Sequence, residues 1–184
     1  MKLKTSRNPR LFRWTIIWLL ILAACGQVPE KANSFKSIFD YYKSRDGVLA
    51  LSLPPGLISL VLPDSDTQML ELKKLLQELS AFRMLSVENL ETDSLLKEDI
   101  HSSVTEFTYR NEFTDLFRLQ NGGEDLFIRI QEKDKLIKEA IIMLSSESGY
   151  FVFDLRGNIS IEQFVKFVEG GYLNELSSLA DFNL

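Results

Sequence analysis

The segment DLFRLQNGGEDLFIRIQEKDKLIKEAIIMLSSESGYFVFDL, residues 115–155, decides the fold of this chain. Apolar and polar residues alternate within it, as Leu126, Ile128 and Ile130 show, and this is the period of a half-buried β-strand. Residues that favour turns separate the apolar stretches, at Asn121-Gly122-Gly123, Lys133-Asp134-Lys135 and the polar loop Ser145–Gly149. The pattern therefore predicts four consecutive strands, at residues 115–120, 125–131, 136–144 and 150–155.

Helices and strands are expected to alternate before this segment. Ser34 is the predicted N-cap of a short helix, and the apolar face of that helix carries Phe35, Ile38, Phe39 and Tyr42. Two more strands are predicted at residues 48–53 and 82–87, and two longer helices at about residues 67–80 and 93–110.

The chain after the four strands is expected to be helical. Arg156-Gly157-Asn158 has the composition of a turn, Ser160 is the predicted N-cap of a helix, and Gly170-Gly171 ends that helix. Residues 172–182 predict a final short helix, which either packs on the open face of the sheet or offers an apolar stripe to a partner. The order of elements predicts an α+β fold, with a largely antiparallel sheet of about five to six strands, a C-terminal four-strand meander and helices packed on one face.

Residues 1–24 have the composition of a leader. Their basic residues, which no acidic residue accompanies, are Lys2, Lys4, Arg7, Arg10 and Arg13. The apolar run Trp14–Ala24 that follows has 11 residues. This is the length of the hydrophobic region of a signal peptide and is well short of the ~20 residues that a membrane-spanning helix needs. The sequence therefore predicts a signal peptide over residues 1–24.

The end of this leader, Leu22-Ala23-Ala24-Cys25, resembles the lipobox of bacterial lipoprotein signal peptides. The resemblance implies that a signal peptidase recognises residues 22–24 and that Cys25 becomes the first mature residue, attached to the membrane through acyl chains. Residues 26–33, GQVPEKAN, then form a tether. An uncleaved anchor helix would span a bilayer poorly with 11 apolar residues. A cysteine in the protein core does not fit the linker composition that follows Cys25.

Charge and composition restrict the function of the mature chain. The whole chain has 21 basic and 26 acidic residues, for a net charge of −5, and loss of the five basic leader residues leaves the remaining 160 residues at −10. An acidic chain is a poor nucleic-acid binder. One cysteine and one histidine exclude a disulfide framework, a Cys-rich zinc site and any site with several imidazoles. A mature chain of 160 residues is long enough to form a single domain, expected over residues 34–184, that needs no metal or disulfide for stability.

Four segments of the domain together are similar to a known family. They are FDYYKSRDGVLALSL (39–53), FRMLSVEN (82–89), FRLQNGGEDLFIRI (117–130) and YFVFDLRGNISIEQFVKF (150–167). Over about residues 35–168 the chain resembles the bacterial lipoprotein and secreted-protein family of domain of unknown function 4252. The resemblance implies an envelope location, favours the outer membrane, suggests a connection with envelope stress and carries no established activity.

The residues that could perform chemistry do not form a recognisable catalytic set. Glu98 and His101 have the Glu-x-x-His spacing of di-iron bundles, but a second histidine is lacking and a helix-surface pair is the simpler interpretation. Asp64-Ser65-Asp66 begins like a calcium loop but lacks its glycine and distant glutamate, so it is interpreted as a helix cap. Glu124-Asp125 is interpreted as a solvated hairpin tip. We therefore predict no catalytic, metal or cofactor-binding residues.

The expected function is that of a non-catalytic interaction module that is anchored in the envelope and binds an envelope protein. The alternative is a carrier of a small apolar ligand, held between sheet and helices in a pocket lined by some of the 13 phenylalanines. A hydrolase would need a cleft where two acids with raised pKa converge. Gly26 follows the cysteine and residues 26–33 contain no acidic cluster, which favours an outer-membrane lipoprotein facing the periplasm.

Overall fold

The computed structural model describes residues 32–57, 67–88, 93–121, 124–146 and 149–172. They belong to a compact unit that covers residues 31–184. The main helices are α1 (Phe35–Tyr42), α2 (Thr67–Glu78), α3 (Ser94–Arg110) and α4 (Ile161–Glu169). The strands are β1 (Leu49–Leu53), β2 (Leu79–Val87), β3 (Thr114–Asn121), β4 (Glu124–Lys133), β5 (Leu136–Ser146) and β6 (Gly149–Ser160).

The six strands form one antiparallel sheet in the order β1-β2-β6-β5-β4-β3. Strands β3 to β6 follow one another both along the chain and across the sheet, so the predicted C-terminal meander is confirmed. Two-residue connections fit this arrangement. At the turn between β4 and β5, Asp134 and Lys135 both have positive φ angles, 56° and 61°. The α+β class predicted from the sequence is therefore correct.

Helices cover both faces of the sheet, so the prediction of helices on one face is wrong. On one face, α1 and α3 pack against Leu85, Val152 and Met143. On the other face, α2 and α4 pack against Met84, Phe153 and Ile142. Successive residues of a strand point to opposite faces. The central strands are apolar at successive positions because they are buried twice, and such continuous apolar stretches are typical of strands covered on both sides.

Gly157 lies within a strand and not in the turn predicted at Arg156-Gly157-Asn158. Strand β6 continues to Ser160, and a bulge between Leu79 and Ala81 in β2 faces this part of it. A Cβ atom on Gly157 would lie 2.3 Å from the backbone oxygen of Glu78. Glycine is therefore needed here for close approach to the junction of α2 and β2, and this junction also lies earlier than the sequence predicts.

The caps at the helix ends agree in part with the sequence. The Ser34 side chain accepts a hydrogen bond from the Ser37 backbone, and Ser160 forms a reciprocal capping box with Gln163. Asp93 precedes α3 as predicted, but its side chain makes no capping hydrogen bond and instead lies beside Gly47. The predicted helix at 172–182 lies outside the described residues except for Tyr172, which is buried.

Candidate binding site between α3 and the sheet

A cavity of about 470 Å³ lies between helix α3 and the sheet. Helix α3 contributes four lining residues, Lys97, Glu98, His101 and Ser102. The strands contribute seven, Arg118, Gln120, Asp125, Phe127, Met143, Ser145 and Tyr150. Eight of these eleven side chains are polar or charged. The lining therefore offers both polar groups and apolar surface to a ligand.

The register of the sheet explains why these residues meet. Gln120, Asp125, Ser145 and Tyr150 are consecutive cross-strand partners on β3, β4, β5 and β6. A neighbouring row contains Arg118, Phe127 and Met143. The two rows are two residues apart on each strand, so they point to the same face. Helix α3 lies over this face.

Two turns of α3 place a cation and the imidazole over the sheet. Lys97 and His101 are four residues apart and therefore lie on one face of the helix. Lys97 Nζ donates a hydrogen bond of 2.9 Å to Ser145 Oγ and lies 5.8 Å from the centre of the Tyr150 ring. His101 Nδ1 and the Tyr150 hydroxyl are hydrogen-bonded at 3.1 Å. These contacts hold α3 to strands β5 and β6.

Aromatic rings connect the two cations of the cavity. The ring centre of His101 lies 6.0 Å from that of Tyr150 and 6.3 Å from that of Phe127. The guanidinium of Arg118 lies over the Phe127 ring, with Cζ 4.5 Å from its centre. A guanidinium stacked in this way keeps its N–H groups in its own plane, so they remain able to donate to a ligand.

The electrostatics at His101 are dominated by positive charge. Burial lowers the pKa of the imidazole, and the charges of Lys97 and Arg129 lower it further, whereas the smaller effect of Asp125 raises it. The imidazole is therefore neutral at pH 7. Burial also raises the pKa of the Tyr150 phenol, which keeps its proton.

The cavity contains only part of what the sequence singled out. Glu98 and His101 both line it, although Glu98 is exposed, and Asp125 lines it whereas Glu124 is exposed. Among the residues that the structure describes, no group of three or more histidine, cysteine or acidic side chains could hold a metal ion. The pair Glu98 and His101 therefore contributes to a polar cavity.

The other predicted site residues lie outside the described part of the chain. They are Leu22, Ala23, Ala24 and Cys25 of the lipobox, and Asp64-Ser65-Asp66. No helix within the described ranges is long and apolar enough to cross a membrane.

Sequence reasoning missed Lys97, Arg118, Ser145 and Tyr150. Each strand residue in this set points toward the same face as its cavity neighbours, so strand alternation was a signal for their orientation. The pairing of Ser145 with Asp125 and Tyr150, however, depends on the register of two hairpins.

A second cluster of charges is buried across β2, β5 and β6. Arg83 Nη1 donates to Asp154 Oδ2 at 2.7 Å, and Arg156 Nη2 donates to Glu139 Oε1 at 2.8 Å. Asp154 is fully buried. Burial raises the pKa of both acids, and the nearby charge of Asp154 helps to raise that of Glu139 to about 7.

These two acids converge as a hydrolytic pair would, but their surroundings fit a structural role. Arginine side chains hold both carboxyl groups, and Asp154 has no exposed surface to meet a substrate. Neither acid lines the cavity under α3. The cluster therefore links three central strands, and the cavity is the better candidate for a ligand site.

Residues 41–167 match the family described as Domain of unknown function (DUF4252), and the chain belongs to this family. This confirms the family to which the sequence segments pointed, with bounds slightly inside the expected 35–168. No curated protein and no solved structure matches the chain.

Proposed function

We propose that this protein is an envelope lipoprotein whose α+β domain acts as a non-catalytic binding module. The observation that carries the proposal is the order of the N-terminal segments: basic residues, 11 apolar residues and then Leu22-Ala23-Ala24-Cys25. Membership of the family supports it, because the resemblance to that family implies an envelope location. Cys25 carries the acyl chains, and residues 26–33 connect it to the domain.

The charge of the mature chain supports attachment through lipid. A chain with a net charge of −10 is repelled by anionic headgroups, so electrostatic attraction does not hold it at a membrane. Two or three acyl chains give stable anchoring where a single chain is marginal. We place the protein in the outer membrane facing the periplasm, because Gly26 stands where an inner-membrane retention signal would have aspartate.

Metabolic labelling of the full-length protein with radioactive palmitate tests the anchor. We expect the wild-type chain to incorporate label and Cys25→Ala to lose it, because the thiol that carries the lipid is gone. The matched control is Ala24→Gly, which keeps a small residue at the cleavage site and should retain the label. Equal labelling of the wild type and Cys25→Ala would refute the anchor.

The binding role rests on the cavity under α3. Its volume of about 470 Å³ lies within the range of small-molecule sites, about 300–1,000 Å³. The alternative function, a carrier of an apolar ligand, places its pocket between sheet and helices as well. The described lining fits a small molecule with both a polar and an apolar part, because charged side chains share the cavity with Phe127, Met143 and Tyr150.

We propose in addition that an envelope protein is the macromolecular partner and that the module takes part in the response to envelope stress. Both statements rest on the family resemblance. Deletion of the gene should alter the induction of an envelope-stress reporter, and expression of the wild-type chain should restore it. Identical reporter induction in the deletion and wild-type strains would refute the connection with stress.

A further inference from the structure

We propose that the cavity under α3 binds a small organic acid, with its anionic group between Lys97 and Arg118 and its apolar part against Phe127 and Met143. This inference rests on the proposed binding role of the domain and names the class of its ligand. In this proposal the charged residues of the cavity bind the anionic group, and its apolar residues contact the rest of the ligand.

Lys97 and Arg118 have donors available for an anion. Within the described ranges, no carboxylate lies at ion-pair distance from either side chain. An ammonium group has three donors, and Lys97 uses one of them on Ser145. Arg118 stacks on Phe127 and keeps its planar edge for a carboxylate, which a guanidinium can bind through two parallel hydrogen bonds.

The apolar part of the ligand is inferred from two apolar side chains that line the cavity, Phe127 and Met143. Phe127 lies between the Arg118 guanidinium and the His101 ring, and Met143 is its cross-strand neighbour on β5. An inorganic anion would add no apolar contact to these two side chains. A carboxylate attached to a flat or short aliphatic body satisfies both parts of the lining.

Glu98 and Asp125 oppose an anion, but the cations dominate. Glu98 and Arg118 are both exposed, so water screens both charges, and the half-buried charges are those of Lys97 and Asp125. At His101, the effect of Lys97 exceeds that of Asp125, which places the stronger field on the side of the cation. Asp125→Asn should consequently tighten binding of an organic acid, because it removes the negative charge that water screens less.

His101 is the single histidine of the chain and gives a specific reporter of the cavity. We would label the full-length protein with ring-¹³C histidine, purify it in detergent and titrate it with benzoate, with its neutral isostere benzamide and with inorganic phosphate. We expect benzoate to shift the imidazole signal saturably and to raise the measured pKa of His101 by about 1, because an anion stabilises the imidazolium. Benzamide should leave the pKa unchanged, and phosphate should bind at least about tenfold more weakly.

Lys97→Gln and Arg118→Gln should each weaken benzoate binding about tenfold or more, which is the loss expected for one charge-assisted contact. The matched control is Lys133→Gln, which removes an exposed cation at the far end of β4 and should bind as the wild type does. Thermal unfolding of each variant shows whether it retains its fold. A variant that unfolds is replaced by Lys97→Met or Arg118→Met.

Three results would overturn the proposal: no response to benzoate, an equal response to benzamide, or equal affinity for benzoate and phosphate. The first two results would show that the cavity does not recognise the anionic group of the ligand. The third would show that the apolar part of the ligand contributes nothing to binding. Palmitate labelling is independent of all three. If benzoate does not bind but palmitate labelling is normal, the ligand proposal is refuted and the anchor stands. If labelling is absent but benzoate binds, the anchor alone is refuted.

Discussion

Burial of Glu139 makes the stability of the folded protein depend on pH. Its pKa rises from an ordinary value near 4.5 to about 7 in the folded protein, chiefly through burial and then through Asp154. The folded state therefore holds a proton that the unfolded state releases between these values, and the contribution of Glu139 to stability falls as pH rises across that interval. A protonated Glu139 also supplies a donor to Asp154, one of whose oxygens otherwise has no hydrogen-bond partner.

Glu139→Gln should remove the loss of stability that the wild type shows as pH rises. We expect the variant to exceed the wild type in free energy of unfolding by about 2 kcal/mol at pH 8, because glutamine stays neutral, and by much less at pH 5. Urea unfolding at both pH values measures the difference. The exposed Glu132→Gln is the matched control on the neighbouring strand.

The comparison between variants is needed because His101 acts in the opposite direction. Its pKa is lowered in the folded state, mainly by burial, so its contribution to stability rises with pH. The two effects partly cancel in the wild type, and the difference between wild type and Glu139→Gln removes the His101 effect and reports on Glu139 together with the neighbouring Asp154 carboxyl. Parallel stability curves for these two proteins between pH 5 and pH 8 would contradict the prediction.

The junction of α2 and β2 with β6 depends on a glycine. Gly157→Ala should destabilise the protein by about 1–3 kcal/mol, because the new Cβ would meet the Glu78 backbone oxygen at 2.3 Å and the strands would have to move apart. The control is Gly56→Ala, since no atom of the described residues lies within 4 Å of a Cβ at that position. Chemical denaturation of both variants measures the difference, and a stability of Gly157→Ala equal to that of the control would show that the bulge absorbs the methyl group.

The elements themselves were largely predictable, and their packing was not. The alternation of Leu126, Ile128 and Ile130 predicted β4, and β4 is present. The apolar run Tyr150 to Leu155 predicted β6 but could not show that both of its faces are covered. Gly157 has turn composition because glycine serves both turns and close backbone approach, and only the neighbouring Glu78 distinguishes the two.

The candidate cavity was harder to predict from the sequence than the packing of the elements, because pairing between strands brings its residues together. Arg118 and Tyr150 lie on β3 and β6, on opposite sides of two intervening strands. Their common cavity follows from the register of three hairpins and from the position of α3 above them. The spacing of Lys97 and His101 along one helix was a local signal, as was the alternation within each strand, and both indicate a shared face without indicating a ligand.

At the scale of the whole molecule, the proposed lipid anchor has to act against the charge of the chain. Residues 1–24 contribute five positive charges, and their proposed removal leaves 160 residues at −10. A soluble Cys25→Ala form that lacks residues 1–24 should therefore leave the membrane fraction even at low ionic strength, where an electrostatically bound protein would be held most strongly. The wild type should stay in that fraction at both low and high salt, because burial of its acyl chains is insensitive to screening.

Membrane fractionation at about 10 mM and 500 mM salt measures this difference, with Ala24→Gly as the lipidated control. At these concentrations the screening length falls from about 30 Å to a few Å. Release of the wild type by high salt would show that charge and not lipid attaches the protein. Retention of the soluble Cys25→Ala form at low salt, followed by its release at high salt, would reveal a cationic surface strong enough to overcome the net charge of −10.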